Sequence, residues 1–326
     1  MRPAVCVVVP VYRAEHTIDR CVASILAQRV PGGVSCVLVD DGSPDRSGAM
    51  CDAWAARDPR VQVVHKADGG VSSARNAGME KADAEYIVFL DADDALRTGA
   101  LEAALKAQRE RPGDFVLWRY STDLLDDAPA DPETAVYPPS ALARLHLDCL
   151  IAMPWNKLYR ADWAKRLKFD ETYTLGEDLQ FVLDYIALLQ QKAPGWQFAV
   201  VRAPLTWYNC DMTGTSLSTR YHSDYCEIWP RHFAKLNAAC AALAAPAGDL
   251  RCAAPGCGNC CAPCGQRRTI RPITCRCGGK TCTGCTPPPR PGAPEARCTA
   301  GWTGWDIICF SAAAAGSDAG APASGL

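Results

Sequence analysis

Val5-Cys-Val-Val-Val-Pro-Val-Tyr12 opens the chain with a β-branched run that ends at a proline and an aromatic. An uninterrupted apolar run suits a parallel strand buried on both faces, because helices cover both sides of such a sheet. Working outward, Ile18, Cys21, Val22, Ile25 and Leu26 recur at helical spacing. Val37-Leu-Val39 reads as a second strand, Val61-Gln-Val-Val64 as a third and Tyr86-Ile-Val-Phe-Leu90 as a fourth. Helical stretches near Ser47–Arg57 and Val71–Lys81 separate them. Alternation of this kind predicts an α/β fold, a mainly parallel Rossmann-like sheet flanked by helices with right-handed crossovers. Ligands of such sheets bind beyond the C-terminal strand ends. Polar residues fall there: Pro10-Val-Tyr12, Asp40-Asp41-Gly42-Ser43 and Asp91-Ala92-Asp93-Asp94.

Further along, residues 124–140 form a Pro/Asp-rich link, a helical middle is expected over about Leu142–Leu189, and Cys210–Leu243 reads as a mixed segment ending in a helix. The composition then changes abruptly. Residues 241–326 hold 34 Gly, Pro or Cys among 86, and no apolar period survives in them. The expected organisation is therefore 1–123, then 124–243 as the second half of the same domain, then a Cys/Gly/Pro-rich irregular tail over 244–326.

A net charge of −2 gives no sign of a nucleic-acid partner. Val5–Val11 is too short to export or span, and no later run approaches the roughly 18 apolar residues of a membrane helix. The expectation is a cytoplasmic protein, with peripheral contact at the inner face of the membrane left open. Of 19 cysteines, eight are scattered between Cys6 and Cys240 at apolar positions, as buried thiols are, and eleven crowd between Cys252 and Cys309. Cys261-x2-Cys264 and Cys282-x2-Cys285, separated by 17 residues, fit a zinc-ribbon spacing, but Cys257-x2-Cys260 competes. Ala, Arg, Gly, Pro, Cys and Trp all have GC-rich codons, so a shifted reading frame near codon 245, or a disordered tail, is preferred to a zinc module.

Three acidic groups carry candidate chemistry. Asp40 and Asp41 end the second strand, where a carboxylate can accept a base N–H and Gly42 lets the chain turn closely around a ligand; taken alone, a plain strand-to-helix turn with Asp as cap is the better reading. Asp91, Asp93 and Asp94 repel unless a cation is present, and alternate carboxylates at a strand exit can share a divalent ion and its diphosphate; Asp94 could instead cap the next helix. Glu177-Asp178 precedes Leu179, Phe181, Val182 and Leu183, as a helix N-terminus would, and a favourable helix-dipole charge explains that pair without any function.

Six motifs occur in order: Val7-Val-Val-Pro-Val-Tyr12, Val39-Asp-Asp-Gly-Ser43, Gly69-Gly-Val-Ser-Ser-Ala-Arg-Asn-Ala-Gly78, Tyr86-Ile-Val-Phe-Leu-Asp-Ala-Asp-Asp94, Trp155-Asn-Lys-Leu-Tyr159 and Gly176-Glu-Asp-Leu179. Over roughly residues 4–240 the chain resembles the family 2 glycosyltransferases of the GT-A fold, found in bacterial polysaccharide and lipopolysaccharide synthesis. The resemblance implies an inverting, metal-dependent enzyme that moves one sugar from a UDP-sugar donor to a glycan or lipid-linked acceptor. It makes residues 1–123 the nucleotide-sugar half and 124–243 the acceptor half. Asp40 or Asp41 resembles the residue that reads uracil, the backbone around Pro10 and Tyr12 the nucleotide floor, and Arg75 the basic residue near the nucleotide. Asp91 resembles the ribose-side acid of the D-x-D motif, Asp93 the ligand of Mn²⁺ or Mg²⁺, and Asp178 the general base beside Glu177. Arg13 departs from the pattern, since Asn is usual after Pro-x-Tyr. The Q-x-x-R-W motif and membrane helices of processive synthases are not found, which favours single transfer. A sugar nucleotidyltransferase shares the sheet but needs a Gly-rich loop where Pro10-Val-Tyr-Arg13 stands. A non-catalytic or decayed member with a zinc-binding tail is the remaining alternative.

Overall fold

In the computed structural model, residues 2–123, 131–173, 175–209, 225–243, 274–277 and 280–283 are described. Two compact units divide the chain, Met1–Leu250 and Arg251–Leu326.

The first unit alternates strand and helix as the periodicity predicts. β1 (Val5–Val11), α1 (Ile18–Leu26), β2 (Val34–Asp41), α2 (Ser47–Arg57), β3 (Val61–Lys66), α3 (Gly70–Lys81) and β4 (Tyr86–Phe89) follow in order. β1 pairs in parallel with both β2 and β4, and β2 pairs in parallel with β3. Every residue of β1 and β2 is buried, which explains their lack of alternation. One face of this sheet packs on Ile18, Cys21, Val22 and Ile25 of α1, within one apolar cluster. On the other face, α3 lies unusually close. A methyl group at Gly78 would run into Val8, and its next neighbour, Val39, would stand at 3.0 Å. Glycine there lets the helix settle onto the β1–β2 seam.

Beyond β4 come β5 (Ala95–Leu96), α4 (Ala100–Glu110), β6 (Phe115–Ser121), β7 (Thr134–Tyr137), α5 (Leu142–Leu147), β8 (Lys157–Arg160), α6 (Ala161–Ala164), α7 (Glu177–Lys192), β9 (Phe198–Trp207) and α8 (Tyr225–Leu243). The sheet order is β3-β2-β1-β4-β8-β6-β9-β5, with β7 also on β9. β8 runs antiparallel to both β4 and β6, whereas β6 and β9 are parallel. The sheet is thus parallel across β1–β4 and mixed beyond.

Two expectations need correction. The span Leu142–Leu189 is not one helical region. Lys157-Leu-Tyr-Arg160 is a strand inside it, because the edges of β4 and β6 stand open on either side and take it up. The link at 124–140 is not wholly irregular either, since Thr134–Tyr137 pairs with β9. α7 and α8 cover the remaining face together with Phe89, Phe115, Tyr159 and Phe198. The second unit contains a two-stranded antiparallel hairpin, β10 (Thr274–Cys277) and β11 (Lys280–Thr283). Cys257, Cys260, Cys261, Cys264 and Cys285 of the proposed zinc spacings lie outside the described residues.

Among the described residues, no helix is long and apolar enough to cross a membrane.

Candidate active site

Asp40 and Asp41 end β2 side by side, and both are buried. The amide of Ser43 donates to Asp40 Oδ1 at 3.1 Å, and His65 Nδ1 meets Asp40 Oδ2 at 3.0 Å while its Nε2 meets Asp52 at 2.9 Å. Burial pushes the Asp40 carboxyl up, but its bonds with Ser43 and His65 more than offset this and hold it below the ordinary value. Asp41 pairs with the Lys66 ammonium and accepts the Gly69 amide at 3.1 Å. It thereby ties the end of β2 to the start of α3. Gly42 has φ of +69°, and a side chain there would meet the Asp68 amide nitrogen at 2.8 Å. The close approach that this glycine permits is to the chain's own 66–68 loop.

α3 brings the next group in. Arg75 is 3% exposed, and its guanidinium bridges acids from distant parts of the chain. Nη2 donates to Asp91 Oδ1 at 2.8 Å, Nη1 donates to Asp178 Oδ1, and Nη1 lies 3.5 Å from Glu177 Oε1. Phe169 lies beneath, with the guanidinium carbon 5.4 Å from its ring centroid. Burial disfavours the charge on Arg75, but Asp178, Asp91 and Glu177 outweigh it and raise the pKa. Part of the counter-charge that the clustered acids require is therefore built into the protein.

Asn76, the next residue on α3, was not singled out by sequence reasoning. Its Nδ2 donates to Phe169 O at 2.9 Å and its Oδ1 accepts the Phe169 amide at 2.8 Å, which fixes the ring under Arg75. A signal existed, because asparagine is a poor helix-interior residue and an interior one invites the question of what it binds.

The acidic turn follows β4. The Asp94 amide donates to Asp91 O at 3.0 Å, and Arg20 Nη2 donates to Asp93 O at 3.0 Å. Asp94 does not cap the next helix, whose N-cap is Gly99. It is fully buried and accepts the Asn209 amide at 2.9 Å, while its Oδ2 has no hydrogen-bond partner. Burial, then Asp91 and Asp93, push its carboxyl well above the ordinary range. The neighbouring Asp91 and Asp93 carboxylates are hard oxygen ligands of the kind Mg²⁺ or Mn²⁺ takes. Among the described residues no three His, Cys, Asp or Glu converge on one point. Two protein carboxylates, completed by phosphate oxygens and water, match the usual way Mg²⁺ is held.

α7 begins at Glu177, after Gly176 in the left-handed conformation with φ of +81°. Burial raises the Asp178 carboxyl well above its ordinary value; Arg75 pulls the other way, and Glu177 and Asp91 add to the rise. A carboxylate with raised pKa is a better proton acceptor. Close by, the fully buried Lys157 donates to Leu150 O at 2.7 Å, Met153 O at 2.5 Å and Asn156 Oδ1 at 2.6 Å. Within the fifth motif it thus acts as an internal staple for residues 150–156. Tyr12 is 45% exposed where β1 ends. Arg13 follows with φ of +52°, its amide 3.3 Å from Ser43 Oγ. Of the predicted residues, Arg75, Asp91, Glu177 and Asp178 are thus gathered directly. Asp41 joins them through α3 and Asp93 through the shared turn, while Pro10 and Tyr12 stand at the end of β1.

A parallel half-sheet with Asp40, Asp41, Asp91 and Asp93 at the C-terminal ends of β2 and β4, joined to a mixed half-sheet, is the GT-A arrangement of glycosyltransferases. The chain belongs to glycosyl transferase family 2, whose description matches residues 6–168. It is 34% identical over 193 residues to the uncharacterized glycosyltransferase EpsJ of Bacillus subtilis (strain 168), covering 56% of each chain. With the glycosyltransferase GlyG of Streptococcus pneumoniae serotype 4 it shares 37% identity over 121 residues, 37% of this chain and 40% of that one. With the putative teichuronic acid biosynthesis glycosyltransferase TuaG of Bacillus subtilis it shares 33% over 158 residues, 47% and 62% of the two chains. These matches span about half the length of the curated relatives. Among solved structures, S. aureus TarS 1-349 in complex with UDP-GlcNAc superposes with a TM-score of 0.60 at 22% identity, over 74% of this chain and 71% of that one, a likeness of fold.

Proposed function

We propose that this protein transfers a single sugar from a UDP-sugar to a hydroxyl of a glycan or lipid-linked acceptor in cell-surface polysaccharide synthesis, with inversion at the anomeric carbon. The observation that carries the proposal is the Arg75 guanidinium, which clasps Asp91 on one side and Asp178 on the other. One side chain thus ties Asp91, just beyond β4, to Asp178, on the first turn of α7. Asp178 takes the proton of the acceptor hydroxyl as that oxygen attacks the anomeric carbon. The bond from that carbon to the diphosphate oxygen breaks on the opposite face, UDP leaves, and one displacement inverts the centre. Asp93 and Asp91 would hold Mn²⁺ or Mg²⁺, which when bound neutralises the charge on the departing diphosphate. Asp40 and Asp41 are the candidates for reading the uracil, with Pro10 and Tyr12 as the floor beneath it. A teichuronic acid enzyme among the relatives supports an acceptor of the cell envelope. A UDP-sugar donor supports action in the cytoplasm, where contact with a lipid-linked acceptor would bring the protein to the inner membrane face.

The test is transfer by purified protein from a panel of UDP-sugars, with Asp178→Asn and Glu177→Gln alongside. Asp178→Asn is expected to leave UDP affinity nearly unchanged and to lower transfer by about 10²-fold or more, the scale of general-base loss. Glu177→Gln is expected to do less harm. Wild-type transfer by Asp178→Asn together with a dead Glu177→Gln would move the base by one residue, and full activity in both would remove it from α7.

A further inference from the structure

Gly176 sits at the hinge between an exposed loop and α7, and what touches it comes from a helix beyond the candidate site. The ring of His232, on α8, occupies the space a side chain at 176 would need; a Cβ there would overlap it outright. His232 is 4% exposed, and its ring stacks on Tyr173 with centroids 6.0 Å apart and planes 22° from parallel. Three residues on, Lys235 Nζ donates to Gln180 O at 3.2 Å and pairs with Asp184 at 2.8 Å. Leu236 and Leu243 join the same apolar cluster as Leu179 and Leu183 of α7. α8 is therefore fastened to the first two turns of α7 by a ring, an ammonium and an apolar seam, and the ring meets the residue immediately before Glu177 and Asp178.

We propose that His232 is a positioning residue: its ring wedges between Tyr173 and Gly176 and fixes the left-handed N-cap from which α7 presents Asp178. The physical requirement is plain. Helix ends fray, because their first amides lack intrahelical partners. No side chain caps the start of α7, since its N-cap is a glycine. A carboxylate on that first turn would wander unless something outside the helix held it. Arg75 holds the carboxylate itself, and His232 holds the backbone from which it springs. Gly176 is required twice over, once for its positive φ and once for the room His232 takes.

The inference rests on Asp178 as the base only for its effect on turnover; its effect on the backbone stands by itself. Two measurements on the full chain therefore separate the two ideas. Hydrogen exchange of the amides of residues 177–181 is expected to speed up at least tenfold in His232→Ala, with β1–β4 unchanged. The kcat for transfer is expected to fall about 10-fold or more with the KM for UDP-sugar unchanged, since small misplacements of a reacting group are costly. His232→Phe, which keeps a ring, is expected to restore most of both. Lys235→Ala, at a partly exposed position, is expected to give the same signature more weakly should His232→Ala fail to fold. Unchanged exchange at 177–181 in both alanine variants would overturn the proposal. So would faster exchange throughout β1–β4, which would mark a general loss of stability. Faster exchange at 177–181 with unchanged kcat would keep the brace and remove Asp178 from the chemistry.

Discussion

Arg13 holds φ of +52° at the end of β1, a conformation that costs an ordinary L-residue roughly 1–2 kcal/mol and that asparagine tolerates better. The usual Asn at this position thereby gains a physical reason. Arg13→Asn is expected to stabilise the fold by about 0.5–1 kcal/mol, read as a raised urea midpoint at constant slope. An unchanged or lowered midpoint would show that the arginine side chain offsets its own backbone strain. UDP affinity by calorimetry is expected to rise on adding Mn²⁺ or Mg²⁺, and Asp93→Ala to abolish that rise; equal affinity with and without chelator in the wild type would remove the ion from the site. Residue chemistry was legible up to a point. Asp91, Asp178 and Arg75 could each be flagged from their motifs, but not that one guanidinium holds both acids. Arg75 and Asp178 stand 103 residues apart, and neither propensity nor periodicity pairs side chains over such a distance. In the structure the Arg75 guanidinium pairs with Asp91, Glu177 and Asp178.

Elements of the first half could be read because each carries its own period. α2 falls on Ser47–Arg57 as predicted, and β1 and β2 are continuous apolar runs. β8 escaped notice because four residues carry no reliable period, and Lys157-Leu-Tyr-Arg160 becomes a strand only when β4 and β6 flank it. α5 supplies a pH prediction. His146 is buried on it, with Nδ1 lacking a hydrogen-bond partner. Burial, with Lys157 adding to it, lowers its pKa from the ordinary 6.5 to about 4. Between those values the unfolded chain binds a proton that the folded chain refuses, so stability is complete above pH 6.5 and is lost as pH falls towards 4. At one unit of pKa per 1.36 kcal/mol the loss by the acid end of that window is about 2–3 kcal/mol. His146→Leu is expected to flatten the fall in urea-derived stability between pH 7 and 4.5; an equally steep fall in both proteins would assign it to other groups.

For the whole molecule, the boundary matters most. A chain ending at Leu243 keeps α8 and every strand of the nine-stranded sheet. It is expected to bind UDP with the affinity of the full chain, measured by calorimetry. Loss of binding on truncation, together with stoichiometric zinc in the full chain, would make the Cys-rich segment a structural module. The compositional break after about Ala244 was legible in sequence, because a lost apolar period is a local property. The meeting of α8 with α7 was not, because it depends on which helix faces are left over once the sheet has closed. That closing order has a consequence during synthesis. β3, β2, β1 and β4 are made as one block and can pair as they leave the ribosome, but β4 keeps one bare edge until Lys157 has emerged. Among the described residues, β5 and β7 pair with β9 alone, and β6 lacks β9 until then. A nascent chain stalled between β4 and β9 would thus display open strand edges, the feature by which chains most readily capture one another. Ribosome-bound intermediates of that length should be the ones that chaperones hold.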